Sequence, residues 1–193
     1  MIEYMNWPKI PEYFLDDIYK LVSKDNAINA QTFWFEQPNV DWKTSLAVNA
    51  SMTSTINQNL GIIRTATVIE PVPKNLKNWL KQNIPIKFDF AHVVGLIDGT
   101  SLLPHVDGLR MIGYNYVIHS DAKSKTCFYE PKKEYSHLVP YSDTDILHDR
   151  LELVYEEVVK FQSWYKINTK KIHSVENLAN PGKRIAISLS IIR

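Results

Sequence analysis

Apolar positions change period along this chain, and the changes divide it. From Pro11 to Lys24, Phe14, Leu15, Ile18, Leu21 and Val22 recur at helical spacing with Asp16, Asp17 and Lys20 opposite, and proline suits the first turn. The spacing predicts a helix that covers one face of a sheet. A shorter stripe, Leu76, Trp79 and Leu80, predicts a second helix that Pro85 ends, because proline cannot continue it. Between the two, Phe33-Trp34-Phe35 and Trp42 read as core aromatics in preference to a stacking platform. Residues 41–60 follow neither period. The β-branched residues of Gly61 to Ile69 predict a strand ended by Pro71 and Pro73, with Arg64 facing solvent.

From Ile86 onward the period is two. Ile86, Phe88 and Phe90 alternate with Lys87 and Asp89 in a strand predicted to reach Ile97, before a turn at Asp98-Gly99-Thr100. Arg110 to Ile118 predicts the next strand. With a short strand from Thr126 to Tyr129, beyond the polar loop Ser120 to Lys125, it outlines a hairpin. The turn-rich stretch from Pro131 to Asp149 reads equally as a lid or a surface excursion, and Ser142-Asp143-Thr144-Asp145 is placed to cap a turn of helix. Leu151 to Phe161 fits both periods, and its neighbours favour strand. Ser163 to Asn168, Lys171 to Val175 and Lys183 to Ile192 complete a series of short strands. That pattern predicts a mainly β fold with flanking helices, a sandwich or barrel.

Composition narrows the class without changing the picture. A chain of 193 residues makes one domain, 1–193, in which 1–85 supplies helices and supporting strands and 86–193 the β core. Hydrophobic residues at 45%, charged residues at 22% and a net charge of +1 describe an ordinary globular protein, with no charge excess to attract nucleic acid. The single Cys127 excludes an internal disulfide, and Met1-Ile2-Glu3-Tyr4 lacks the pattern of a signal peptide. No apolar run approaches the ~20 residues that span a bilayer. The expectation is a cytoplasmic protein without a membrane partner.

The candidate chemistry lies in Leu103-Pro104-His105-Val106-Asp107-Gly108 and in the stretch from His173 to Ser188. On a strand, side chains at i and i+2 share a face, so His105 and Asp107 converge on one point. With His173 they make two imidazoles and one carboxylate, the facial set of non-haem Fe(II) oxygenases, which leaves coordination positions open. Arg184 and Ser188 share a face of the last strand. A guanidinium among Ile, Ala and Leu needs an anionic partner if it points inward, and a cation beside a hydroxyl suits a bound carboxylate.

The ordered set His105-x-Asp107, His173, Arg184 eleven residues on and Ser188 four beyond it resembles the 2-oxoglutarate/Fe(II)-dependent dioxygenases of the prolyl/aspartyl hydroxylase-like kind, over about Phe88 to Ile192. The resemblance implies a double-stranded β-helix, a cupin-like jelly roll of about eight strands with the N-terminal helices outside. It implies Fe(II) held by His105, Asp107 and His173 as the metal-binding and catalytic residues. It further implies 2-oxoglutarate held through its far carboxylate by Arg184 with Ser188, and O2 as cosubstrate. In the family a hydroxyl stands two or four residues after the arginine; here Ala186 occupies the nearer position. Asn115, which interrupts an apolar stretch between Tyr114 and Tyr116, is a further cosubstrate candidate. Arg110 is placed either to pair with Asp107 or on the surface, and Thr126 and Tyr129 are undecided pocket candidates.

The activity implied is hydroxylation of a prime substrate, a small molecule or a protein side chain, with decarboxylation of 2-oxoglutarate to succinate and CO2. The alternatives are a cupin-like metal- or ligand-binding protein without turnover, and a non-enzymatic interaction protein in which the triad is coincidental. A rival motif, His119-x-Asp121, runs into the hydrophilic loop Ala122 to Lys125, whereas His105 lies between apolar strands. His92, His137 and His148 have no carboxylate at matching spacing. His105→Ala should abolish Fe(II) binding while His119→Ala retains it, as read by equilibrium dialysis of the metal; the reverse result would assign the motif to His119.

Overall fold

The computed structural model describes residues 1–22, 67–97, 102–107, 110–121, 124–138, 140, 146, 148–176 and 182–192. The aromatic cluster at 33–42, the unassigned 41–60, Arg64, the turn at 98–100, Gly108 and the capping cluster at 142–145 lie outside them. The described strands are β1 Glu3–Met5, β2 Thr67–Pro71, β3 Phe90–Ile97, β4 Leu102–His105 and β5 Arg110–Ser120. They continue with β6 Lys125–Pro131, β7 Leu151–Val158, β8 Trp164–Asn168, β9 Ile172–Glu176 and β10 Lys183–Ile192. The described α-helices are α1 Leu15–Leu21, entered through a 3-10 turn at Glu12–Phe14, and α2 Lys74–Asn83.

Among the described strands all pairings are antiparallel, with one sheet of six strands in the order β1-β8-β5-β10-β3-β2 and another of four in the order β4-β9-β6-β7. The period-two alternation assigns each face of the larger sheet to a different layer. Tyr114, Tyr116 and Ile118 of β5, Ile185, Ile187 and Leu189 of β10, Val93 of β3 and Trp164 of β8 pack with Phe14, Ile18 and Val22 of the first helical segment and Leu76 and Leu80 of α2. The intervening residues Val117, Ala186, Tyr165 and Ile167 face the four-stranded sheet and meet Phe128 and Tyr155 there. The helices therefore cover one side of a β sandwich. None of the described helices is long and apolar enough to cross a membrane.

A third cluster, Val106, Cys127, Tyr129, Ile146, Leu151 and Ile172, covers the outer side of the four-stranded sheet together with Tyr135 and Leu138. The described part of 131–149 thus packs behind that sheet, and Ile146 donates its N–H to the Pro104 carbonyl at 2.8 Å. Proline is tolerated inside β4 because β4 is an edge strand, where a missing N–H breaks no ladder.

Two expectations need correction. The strand predicted from Ile86 begins at Phe90, although Ile86 and Phe88 do pack against the helix-side core. Alternation sets the facing of a side chain, but a strand also needs a partner, and the β3–β10 ladder ends at Phe90 opposite Ser190. The outlined hairpin does not form either. Both sides of β5 are taken, by β10 and β8, so the chain crosses to the other sheet and β6 pairs with β7 and β9.

Helix and sheet approach closely at Gly95. A Cβ built there would stand 2.5 Å from Val22 Cγ1 and 2.9 Å from Cγ2, so the absence of a side chain lets this part of the chain reach the sheet. Gly95→Ala should destabilise the fold by about 1–3 kcal/mol, the usual cost of overpacking, as measured by urea denaturation.

Candidate metal centre

The site is assembled across the seam between β4 and β9. His105 ends β4 directly opposite His173 of β9, with a register irregularity between Leu102 and His105 that sets this pairing. Their rings lie 4.5 Å apart between centroids, and Phe128 of β6, opposite His173, packs against the His173 ring at 6.2 Å. Asp107 follows two residues after His105, and the intervening Val106 is buried in the outer cluster. The alternation predicted for His105 and Asp107 is the one observed. The ligand atoms of His105, Asp107 and His173 all lie within 4.8 Å of one another, the one such group of three among the described residues.

The hydrogen bonds of the two imidazoles prepare them for a cation. His105 Nδ1 lies 2.7 Å from the Leu103 carbonyl, and His173 Nδ1 lies 2.9 Å from the Lys171 carbonyl. A carbonyl only accepts, so each Nδ1 carries the proton and each Nε2 presents a lone pair to the centre. Asp107 Oδ1 stands 3.3 Å from His105 Nε2 and 4.0 Å from His173 Nε2. The shorter spacing is that of adjacent ligands around an ion with bonds of about 2.0–2.2 Å, and the longer one exceeds it.

Electrostatics reinforce this reading at His173. Burial, followed by the neighbouring His105, pushes His173 down to about 3, so its imidazole is neutral at physiological pH. Burial alone would raise the Asp107 carboxyl. The neighbouring His105 imidazole and the Arg110 guanidinium outweigh it and hold Asp107 well below the usual carboxylate range. Two imidazole nitrogens and one carboxylate fit a divalent transition metal.

The six-stranded sheet faces this cluster with a polar row. Ser188 of β10 stands opposite His92 of β3 on one side and Asn115 of β5 on the other, and Asn115 stands opposite Tyr165 of β8. Tyr114 and Tyr116 point to the helices, leaving Asn115 toward the gap. Arg184, four residues before Ser188 and on the same face, is 5% exposed and donates from Nη2 to the Tyr165 hydroxyl at 3.1 Å. Its Nε has no hydrogen-bond partner, and no carboxylate among the described residues pairs with it. Thr126 Oγ1 on β6 is the other partnerless buried polar atom among them. A buried unpaired guanidinium costs several kcal/mol in the absence of an anion, as an order of magnitude.

Several placements differ from what spacing suggests. Ser188 is engaged by Arg110, which donates to its hydroxyl at 2.5 Å. Tyr129 points away from the gap into the outer cluster. His119 pairs with Asp121 at 2.7 Å, the Lys183 N–H occupies the other Asp121 oxygen, and no third ligand joins this motif among the described residues. Tyr165 is a residue the pattern did not single out. The signal was its alternation with Trp164, which turns Tyr165 toward the gap when Trp164 enters the helix-side core.

No family model and no curated protein matches this sequence. Solved structures do. The E. coli ycfD structure matches at 14% identity over 61% of this chain and 30% of that one, with a TM-score of 0.39. The Escherichia coli ribosomal oxygenase YcfD in complex with cobalt and 2-oxoglutarate matches at 12% identity over 62% and 28%, with a TM-score of 0.37. HygX from Streptomyces hygroscopicus, with nickel, 2-oxoglutarate and hygromycin B bound, matches at 9% identity over 75% and 79%, with a TM-score of 0.41. The chain spans under a third of the length of the YcfD structures. At such identities and TM-scores the likeness establishes no family, and the chemistry has to come from this chain's own side chains.

Behind His173, the outer face of β9 carries a second polar network. Glu176 accepts from Tyr129, from Ser174 Oγ at 2.6 Å and from His148 Nε2 at 2.7 Å. Burial opposes ionisation of Glu176, but the hydrogen bonds from His148, Ser174 and Tyr129 prevail and bring it from 4.5 to about 2. The folded state therefore keeps this carboxylate ionised at pH values where the unfolded chain protonates it. Its contribution is fully present above the unfolded value of 4.5 and is lost as pH falls toward about 2. Glu176→Gln should lower the urea midpoint near neutrality and converge with the parent protein over that window. Because the group is half-exposed, the gap should be about 1 kcal/mol or less.

Proposed function

We propose that this chain is a non-haem Fe(II)- and 2-oxoglutarate-dependent oxygenase, with its two sheets forming a double-stranded β-helix. It would hydroxylate a small molecule or a protein side chain in the manner of prolyl/aspartyl hydroxylases. The observation that carries the reading is Arg184. A buried guanidinium with an orphaned Nε, on the sheet face opposite a two-histidine, one-carboxylate cluster, calls for a ligand that is anionic at one end and metal-chelating at the other. 2-Oxoglutarate has that form.

His105, Asp107 and His173 would hold the metal through Nε2, Oδ1 and Nε2. Bound Fe(II) with 2-oxoglutarate supplies oxidative decarboxylation to succinate and CO2 together with oxidation of the prime substrate by O2. The work of the chain is binding and orientation. The Leu103 and Lys171 carbonyls keep both histidines in the ligating tautomer. Arg184, with Tyr165 beside it and Thr126 on the facing sheet, would hold the far carboxylate. Ser188 and Asn115 would line the stretch between. Phe128, Val117 and Ala186, packed together between the sheets, would limit water there and strengthen the charge interactions beside them.

The test is an anaerobic visible spectrum of the metal-free protein on adding Fe(II) and then 2-oxoglutarate. A weak charge-transfer band that requires both additions is expected. Hydrogen bonds to charged groups contribute about 1.5–3 kcal/mol, so Arg184→Ala should weaken 2-oxoglutarate binding about ten- to a hundred-fold. Fe(II) binding without the band would leave a metal-binding cupin, and unchanged affinity in Arg184→Ala would overturn the cosubstrate site.

A further inference from the structure

The two oxygens of Asp107 have different surroundings. Oδ1 faces the imidazole nitrogens, whereas Oδ2 accepts from Arg110 Nε at 2.6 Å. The same guanidinium donates from Nη1 to Ser188 Oγ at 2.5 Å and so bridges the carboxylate to the middle of β10. An exposed arginine three residues from an aspartate often makes an ion pair of little consequence. This one is 22% exposed against a carboxylate that is 13% exposed, and its fork is anchored at both ends.

The surrounding backbone is fixed as well. The Asp107 N–H donates to the Thr169 carbonyl at 2.9 Å, and the Asp107 carbonyl accepts from Lys170 Nζ at 2.9 Å. Thr169 Oγ1 donates to the Arg110 carbonyl at 2.6 Å. The turn between β8 and β9 thus pins both residues of the pair. Gly113 supplies the floor: a Cβ there would stand 3.2 Å from Arg110 Cζ, 3.3 Å from its Nη1 and 3.1 Å from Thr169 Cγ2. The guanidinium takes the room that a side chain at Gly113 would need.

We propose that Arg110 is a positioning residue for the metal ligand Asp107. It occupies Oδ2, so that the carboxylate offers the metal Oδ1 alone, and it ties that restraint to β10 through Ser188. The inference rests on the metal centre proposed above. A carboxylate free to bind through both oxygens would take one of the coordination positions that a facial triad keeps open for substrates. Partners that orient a ligand in this way typically alter metal affinity about ten- to a hundred-fold.

The probe is Co(II) added to the metal-free protein, with affinity and ligand-field bands read together, since the bands report coordination number. The parent protein should bind Co(II) at a single site. Arg110→Gln should lose about ten- to a hundred-fold in affinity and show altered bands. Gly113→Ala, which keeps the charge but pushes the guanidinium aside, should change the bands in the same direction with a smaller loss of affinity. A purely structural role would lower the melting temperature and leave the bands unaltered. If Arg110→Gln does not fold, Gly113→Ala and Ser188→Ala carry the test by the same two readouts. Parental affinity and bands in the folded variants would overturn the role of Arg110 alone. Failure of the parent protein to bind Co(II) would overturn the metal centre and this inference together.

Discussion

A carboxylate can be kept ionised between two protein sheets only if every lone pair it presents meets a hydrogen or a positive charge. Asp107 meets that condition on one side, where Oδ2 takes the Nε–H of Arg110 at 2.6 Å, while Oδ1 faces the Nε2 atoms of His105 and His173, a position that a bound cation would complete. The rest of the local structure follows from it. The turn at Thr169 and Lys170 holds the backbone of the pair, Gly113 leaves room for the guanidinium, and Ser188 receives its far end. Loss of any one of these leaves a charge or a dipole partly buried without its partner, which is costlier than never having buried it.

The two sheets divide the chemistry. The four-stranded sheet carries the histidines and Thr126, while the six-stranded sheet carries Arg184, Tyr165, Asn115 and Ser188. Neither sheet alone encloses a site. Between them Phe128, Val117 and Ala186 pack together, and Arg184 is buried with no partner for its Nε among the described residues. Charge interactions are stronger in buried surroundings than in water, and the same burial makes an unpaired polar group expensive. The arrangement accordingly favours a ligand that supplies the missing negative charge.

Much of the element plan was legible in the chain. The helical stripe at Phe14, Ile18 and Val22, the one at Leu76 and Leu80, and the alternation from Arg110 and from Lys183 each mark a real element, because which way a side chain points depends only on local backbone geometry. Leu151 to Val158, tied between periods, is a strand because β6 offers it an edge. The start of β3 and the supposed hairpin were misjudged for one reason. Whether a segment pairs, and with which neighbour, depends on strands distant in the chain.

The same division runs through the candidate site. By itself the sequence determined that His105 and Asp107 share a face, that His173 and Arg184 lie on strands, and that Arg184 sits among residues that belong inside, all consequences of period and composition. Only the tertiary structure decided that His105 stands opposite His173, that Ser188 receives Arg110, that Tyr165 meets Arg184, and that Tyr129 faces the other side. Those are facts of register and of sheet packing. A shift of one residue would turn His173 on β9, or Arg184 and Ser188 on β10, to the opposite face, and no local pattern records which register the opposing strand selects.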